Sequence, residues 1–180
     1  NMRMEVIAME PEDFEIWKQN QLEPYEAPAA DTLAATGEQT YIAQCSRCHQ
    51  IDGLEDADGA PIISRPDLNV YSGAAPNLTN FMTRNTFAGA SWDLLTAECR
   101  ADVWGAPPDE VGERYNEGVT ADCLNSVELR EWLRNAPAMK PMYADAEKLD
   151  ETNGLVRGMP NLALSEDQID ELVAYLLERK

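Results

Sequence analysis

Residues 31–49 read Asp-Thr-Leu-Ala-Ala-Thr-Gly-Glu-Gln-Thr-Tyr-Ile-Ala-Gln-Cys-Ser-Arg-Cys-His, and the fold turns on this stretch. Asp31 is a good helix N-cap. Leu33, Gly37, Tyr41 and Cys45 follow at four-residue intervals, which places them in one stripe of a helix. Gly37 in that stripe costs about 1 kcal/mol against alanine. Its presence predicts that another helix crosses closely there. The stripe runs into two thiols three residues apart, Cys45 and Cys48, with the imidazole of His49 beside them.

Two thiols at this spacing can reach both vinyl groups on one edge of a porphyrin, and the next residue then projects its imidazole at the iron. The C-x-x-C-H pattern is therefore read as a covalent haem attachment site. With four cysteines and one histidine in 180 residues, a shuffled chain shows it about once in two thousand. Three rivals are weaker. A thioredoxin-like redox pair wants a βαβ setting, and the surroundings read as helical. A zinc site could recruit Cys99 and Cys123 as two further thiolates, but these lack the usual close spacing. A buried, functionless His49 is the third.

His49 is the only histidine, so two histidines from this chain cannot flank one iron. Methionine is the expected sixth ligand, and a Met/His pair raises the reduction potential. Met82, Met139, Met142 and Met159 lie downstream. Most methionines at helical spacing are core packing. Gly158-Met159-Pro160-Asn161 is turn-prone and can aim a thioether free of helix constraints, which favours Met159 over Met139 and Met142.

Outward from the motif, 180 residues suffice for one domain with length to spare. No run approaches the roughly 20 apolar residues of a membrane helix, and no signal-like segment precedes the body. Asp and Glu number 33 against 14 Lys and Arg, a net charge of −19. That balance argues against nucleic acid, whose phosphates need a basic surface. It fits either a solvated, self-repelling surface or the docking of a basic partner.

Residues 2–9 alternate weakly and read as a strand. Pro11 opens a helical turn with Phe14 and Trp17 three apart, and residues 23–30 read as an extended, Pro-containing linker. Residues 52–80 read as loop. A helix is expected at 126–135, capped by Asn125 or Ser126, with Val127, Leu129, Trp132 and Leu133 as its apolar face and Pro137 just beyond. The last helix carries a Ser165/Gln168 capping box. Glu166 and Asp167 lie at its positive end, Arg179 and Lys180 at its negative end, and Ile169, Leu172, Val173 and Leu176 form its stripe. The fold class is all-α.

These residues resemble class I cytochromes c over most of 31–180. Gly37, Tyr41, Cys45, Cys48 and His49 match that family's first helix and attachment site. Ala75-Pro76-Asn77-Leu78 is similar to its Gly-Pro-Asn-Leu loop, with alanine for the first glycine. The resemblance implies one haem c, a hydrogen bond from the His49 ring to the Pro76 carbonyl, and Leu78 packed on the haem. It implies Trp132 and Leu133 beside the haem from the middle helix, His49 and Met159 as iron ligands, and Tyr175 packed across Gly37 and Tyr41. Residues about 92–124 and 143–157 are insertions against the family pattern. In the first, Cys99 and Cys123 are most simply a disulfide, since a c-type haem is attached outside the cytoplasm. Two free buried thiols are the alternative.

Residues 1–22 further resemble the end of the copper-binding (CuA) cupredoxin domain of cytochrome c oxidase subunit II, with Met2, Phe14 and Trp17 at matching places. A cupredoxin tail, a linker at 23–30 and a cytochrome c at 31–180 is the order of caa-type haem–copper oxidases. This resemblance implies a domain that accepts single electrons from an external donor and passes them through haem c to CuA, whose other ligands would lie upstream. The donor would be a basic cytochrome c, or a copper or iron–sulfur protein. Other oxidase subunits would be neighbours, on the periplasmic face of a membrane reached through upstream helices. The domain would be a carrier, while the intact oxidase is an enzyme. A stand-alone carrier is the alternative. A haem sensor or enzyme with an open sixth position is a third reading, and no distal histidine supports it.

Overall fold

The computed structural model describes residues 6–56, 58–62, 75–141 and 158–180. Six helices dominate them: α1 (Pro11–Asn20), α2 (Leu33–Gln44), α3 (Ala97–Trp104), α4 (Val111–Asn116), α5 (Ser126–Met139) and α6 (Glu166–Leu177). A 3-10 turn spans Phe81–Thr83, and a two-stranded antiparallel hairpin pairs β1 (Thr86–Phe87) with β2 (Trp92–Asp93). The all-α expectation thus holds apart from a hairpin too short to leave a two-residue period in the sequence. Residues 6–10 form no strand, and the rest of the 2–9 stretch expected as one lies outside the described residues.

Helix α2 starts one residue later than its apparent cap. Thr32, not Asp31, is the N-cap, and its hydroxyl accepts from the Ala35 N–H at 3.1 Å. Asp31 turns the chain into the helix at φ +62°. The stripe also differs at its start: Leu33 is 53 % exposed, and Ala34 is buried instead. Gly37, Tyr41 and Cys45 face inward onto α6 and the core.

The α2–α6 crossing organises the core. A Cβ on Gly37 would run into the Glu171 carbonyl and lie 2.8 Å from the Tyr175 Cβ, so only glycine lets the backbones approach this far. The Tyr41 and Tyr175 rings meet at 5.4 Å and are almost wholly buried. Helix α6 keeps its capping box: Ser165 accepts from the Gln168 N–H, and the Gln168 side chain accepts from the Ser165 N–H at 3.0 Å. Ile169, Leu172, Val173 and Leu176 supply its buried face.

Helix α5 lies against α6 through two arginines. Arg130 pairs with Asp170, and Arg134 grips Glu166 with two bonds of 2.7 Å. Asn125 is the N-cap. The helix breaks at Asn135 (φ −160°), whose side chain caps a final turn through the Ala138 N–H. Pro137 sits in that turn, because a proline cannot follow the unbroken helix. Leu129 and Leu133 are buried, whereas Val127 is 71 % exposed and does not belong to the apolar face.

The stretch expected as the first insertion is closed at its neck. Leu95 bridges Leu124, the Thr96 N–H donates to the Cys123 carbonyl at 2.8 Å, and the Asn125 N–H to the Leu94 carbonyl at 2.7 Å. Beyond the neck, α3 and α4 fold back, and Cys99 and Cys123 are joined by a disulfide with their Cα atoms 5.6 Å apart. The second expected insertion, 143–157, lies outside the described residues, as do Met2 and Met142.

Candidate haem attachment site

Helix α2 hands the chain into a tight turn that presents the motif. The Cys45 N–H donates to the Tyr41 carbonyl at 2.8 Å, ending the helix. The Cys48 and His49 N–H groups then both turn back to the Cys45 carbonyl, at 3.1 and 2.9 Å. Ser46 is buried and donates its hydroxyl to the Ile42 carbonyl at 2.7 Å, locking the turn to the helix. The result is one buried sulfur (Cys45) and one exposed sulfur (Cys48), neither in a disulfide.

Residues 75–78 run beside this turn and clamp it. The Ala75 N–H donates to the Cys48 carbonyl at 3.1 Å, and the Leu78 N–H to the Gln50 carbonyl at 2.8 Å. Between them, His49 Nδ1 lies 2.8 Å from the Pro76 carbonyl oxygen. A carbonyl can only accept, so the proton sits on Nδ1 and Nε2 carries the ring's lone pair, the one that could bind a metal. Burial lowers the imidazole's affinity for protons, the Pro76 bond opposes this, and the Arg84 charge adds to the lowering. Asn77 stiffens the loop: its side-chain oxygen accepts from the Thr79 N–H at 2.8 Å, and the Thr79 hydroxyl accepts from the Asp52 N–H.

The same core receives the other candidate residues. Leu78, Trp132 and Met159 are partly buried against the cluster that holds Cys45, and Leu133 is buried within it. Trp132 meets Trp92 at 5.4 Å and Phe87 at 6.1 Å. Trp92 and Phe87, which no motif in the sequence marks, thus line one side of this aromatic group from the hairpin. Met159 follows Gly158, whose φ of +135° suits glycine. Met82 is wholly buried under the C-terminal end, with its N–H bonded to the Arg179 carbonyl, and Met139 sits half-buried at the end of α5.

This donor set fits a covalently held haem better than it fits two rivals. A four-thiolate zinc site fails because Cys99 and Cys123 are spent on each other, and no cluster of three metal-binding side chains occurs among the described residues. A thioredoxin-like pair needs a lowered thiol pKa. Here burial, reinforced by Cys48, pushes the Cys45 thiol up to about 12. Two unbridged thiols and a neutral, oriented imidazole on one turn are instead what thioether attachment and iron ligation require.

Comparison with known families agrees. Residues 34–102 match the family model of cytochrome c, a stretch that runs from α2 through the motif and ends within α3. No curated protein and no solved structure matches the chain.

Proposed function

We propose that this chain is a cytochrome c that transfers electrons through a covalently bound haem c, as the match of residues 34–102 to that family's model supports, and that it is the electron-transfer part of a caa-type oxidase subunit II. It would take single electrons from an external donor and deliver them to a CuA centre held upstream. The observation that carries the redox reading is the His49 Nδ1–Pro76 contact of 2.8 Å beside two unbridged thiols. When bound, a haem supplies one iron that cycles between the ferric and ferrous states.

The chain's own residues perform the rest. Cys45 and Cys48 would hold the haem through thioether bonds, and Pro76, by fixing the tautomer of His49, would leave Nε2 as the nitrogen that binds iron. Met159 would supply a thioether ligand, while Leu78, Trp132 and Leu133 would exclude water around the haem. Low polarity and sulfur ligation would both favour the ferrous state. No proton-transfer group is needed, because no bond to substrate forms or breaks.

Two features support the oxidase context. Met2, Phe14 and Trp17 fall as at the end of a CuA domain, and a disulfide in the 92–124 stretch suits an extracytoplasmic setting. Among the described residues no helix is long and apolar enough to cross a membrane, so anchoring would come from the preceding sequence. Two membrane helices and the remaining copper ligands encoded upstream of Asn1 are the expected result. A secretion signal directly upstream would point to the stand-alone carrier.

The haem reading is tested by expression with a cytochrome c maturation system. The chain should gain the mass of one haem and resist its extraction into acidic acetone, and Cys45→Ser with Cys48→Ser together should abolish that resistance. A colourless product would overturn the reading. Met159→Ala should abolish the near-infrared band of sulfur-ligated ferric haem and let the ferrous protein bind carbon monoxide. If Met142→Ala does this instead, the ligand assignment moves to Met142.

A further inference from the structure

The stretch between α1 and α2 carries the composition of a flexible linker, yet the rest of the chain engages it at two of its side chains, Gln21 and Tyr25. Three stations hold it. At the first, α1 sits on α4: the Asn116 side-chain amide donates to the Asp13 carbonyl at 2.9 Å. Asp13 rests on the bare face of Gly112, where a Cβ would lie 2.6 Å from that of Asp13. At the second, the Asn80 amide donates to the Gln21 side-chain oxygen at 2.8 Å, next to the 3-10 turn.

The third station is the tightest. Tyr25 donates its hydroxyl to the Glu38 carboxylate on α2 and lies 3.2 Å from the Tyr175 hydroxyl on α6. The Arg179 guanidinium lies between two rings, 4.6 Å from that of Tyr25 and 4.8 Å from that of Tyr175. It donates to the Glu26 carbonyl at 3.1 Å and is 5 % exposed. Stacking of a desolvated guanidinium on two aromatic faces is attractive at both. The Tyr25 Cβ also fills the space above Gly53, where a Cβ would lie 2.6 Å away.

We propose that residues 11–30 are a rigid strut latched by Tyr25 and Arg179, which holds whatever precedes α1 at one fixed orientation to the haem-bearing helix α2. The fold of residues 96–123 gains a role by this: α4 is the seat for α1. The inference deepens the oxidase reading and rests on it for its use. A fixed strut makes electron exchange with an upstream centre a step at constant distance, whereas a flexible tether would make it a search.

The test is ¹⁵N relaxation and amide hydrogen exchange on the full, haem-loaded ferrous chain. Backbone order parameters for residues 11–30 should match those of α2 and α6, above about 0.8. The Gln21 amide, bonded to the Trp17 carbonyl at 3.1 Å, should exchange at least tenfold more slowly than an unstructured amide. Order parameters below about 0.6 across 23–30 in the unmutated protein would overturn the strut. Tyr25→Ala should release 23–30 while α2 and α6 stay protected. Tyr25→Phe, which keeps the ring over Arg179, should release it less. If Tyr25→Ala leaves the segment as ordered as before, the latch is wrong. None of these readings depends on a donor or a potential, so loss of the oxidase reading would leave them unchanged.

Discussion

Gly37 shows how much one residue can announce. A glycine in a helical stripe is a local cost that some contact must offset, and that contact is the carbonyl of Glu171 and the Cβ of Tyr175. Gly37→Ala gains helix propensity worth about 1 kcal/mol, but its methyl has nowhere to go. The two helices must separate, at a cost of about 1–3 kcal/mol or more for overpacking. A net loss of up to about 2 kcal/mol, the cost less the gain in propensity, should appear as a lower midpoint in guanidinium unfolding with little change in slope. An unchanged midpoint would mean that the two helices can part without loss. Cys45, Cys48, His49 and Pro76 are legible in the sequence for a similar reason: their chemistry is local and their spacing is short. Leu33 and Val127 depart from the expected faces because a period of four residues places side chains on a face without saying which ones the neighbour covers. Arg179 reads in the sequence as a charge at a helix end. Its burial between two tyrosines depends on residue 25, which is 154 positions away in sequence, and no periodicity carries such a contact.

At the scale of elements, the neck at 94–96 and 123–125 and the disulfide just past it act together. Backbone pairing closes the excursion in the folded state, while the Cys99–Cys123 bond restricts the same loop when the chain unfolds. In the chain-entropy model a loop of this length contributes about 3 kcal/mol. The double variant Cys99→Ser/Cys123→Ser should lose about that much in denaturant titration, with α1 protection falling as well because α4 seats it. Alkylating the denatured, unreduced protein should label neither cysteine. The α2–α6 crossing makes a second demand, on pH. Burial raises the pKa of Tyr41, with Cys45 and Tyr175 adding to it, and burial pushes Tyr175 up to about 12 against a usual 10. Both phenols stay neutral in the folded state while the unfolded chain ionises them above pH 10. Their contribution is therefore complete below pH 10 and declines from there through pH 12, by about 2.7 kcal/mol per pH unit for the two together. Unfolding free energy measured from pH 8 to 11.5 should stay flat and then fall. Tyr25, raised likewise by burial and by its bond to Glu38, adds to the same fall; Tyr41→Phe should make the slope shallower, and an unchanged slope in the variant would refute the assignment. Helices α2, α5 and α6 are readable from caps and stripes, α6 almost completely. The hairpin, α3 and α4 are not, since elements of two to eight residues owe their shape to what they pack against.

Across the whole molecule, charge is what a partner meets first. A net −19 over 180 residues surrounds the domain with negative potential, and among the described residues the pairs of Arg134 with Glu166 and Glu131, and of Arg114 with Asp102 and Glu110, lie on exposed surface. Such pairs add little stability, so the surplus acts outward. A basic donor would be drawn in before contact, with an attraction that reaches about 10 Å at 0.1 M salt and about 30 Å at 0.01 M. The association rate of a basic cytochrome c with this domain should therefore fall at least tenfold between 10 and 200 mM ionic strength, while the electron-transfer step within the formed complex stays constant. Stopped-flow mixing over that range separates the two, because the first scales with donor concentration and the second does not. Charge reversal at a small group of acids should mimic added salt if they face the donor and change nothing if they lie elsewhere, which maps the docking surface. A rate indifferent to salt would show that the field does not guide the encounter. The donor would then dock through apolar contact, as a copper or iron–sulfur protein with little surface charge could, and the acidic surface would serve to keep copies of this chain apart.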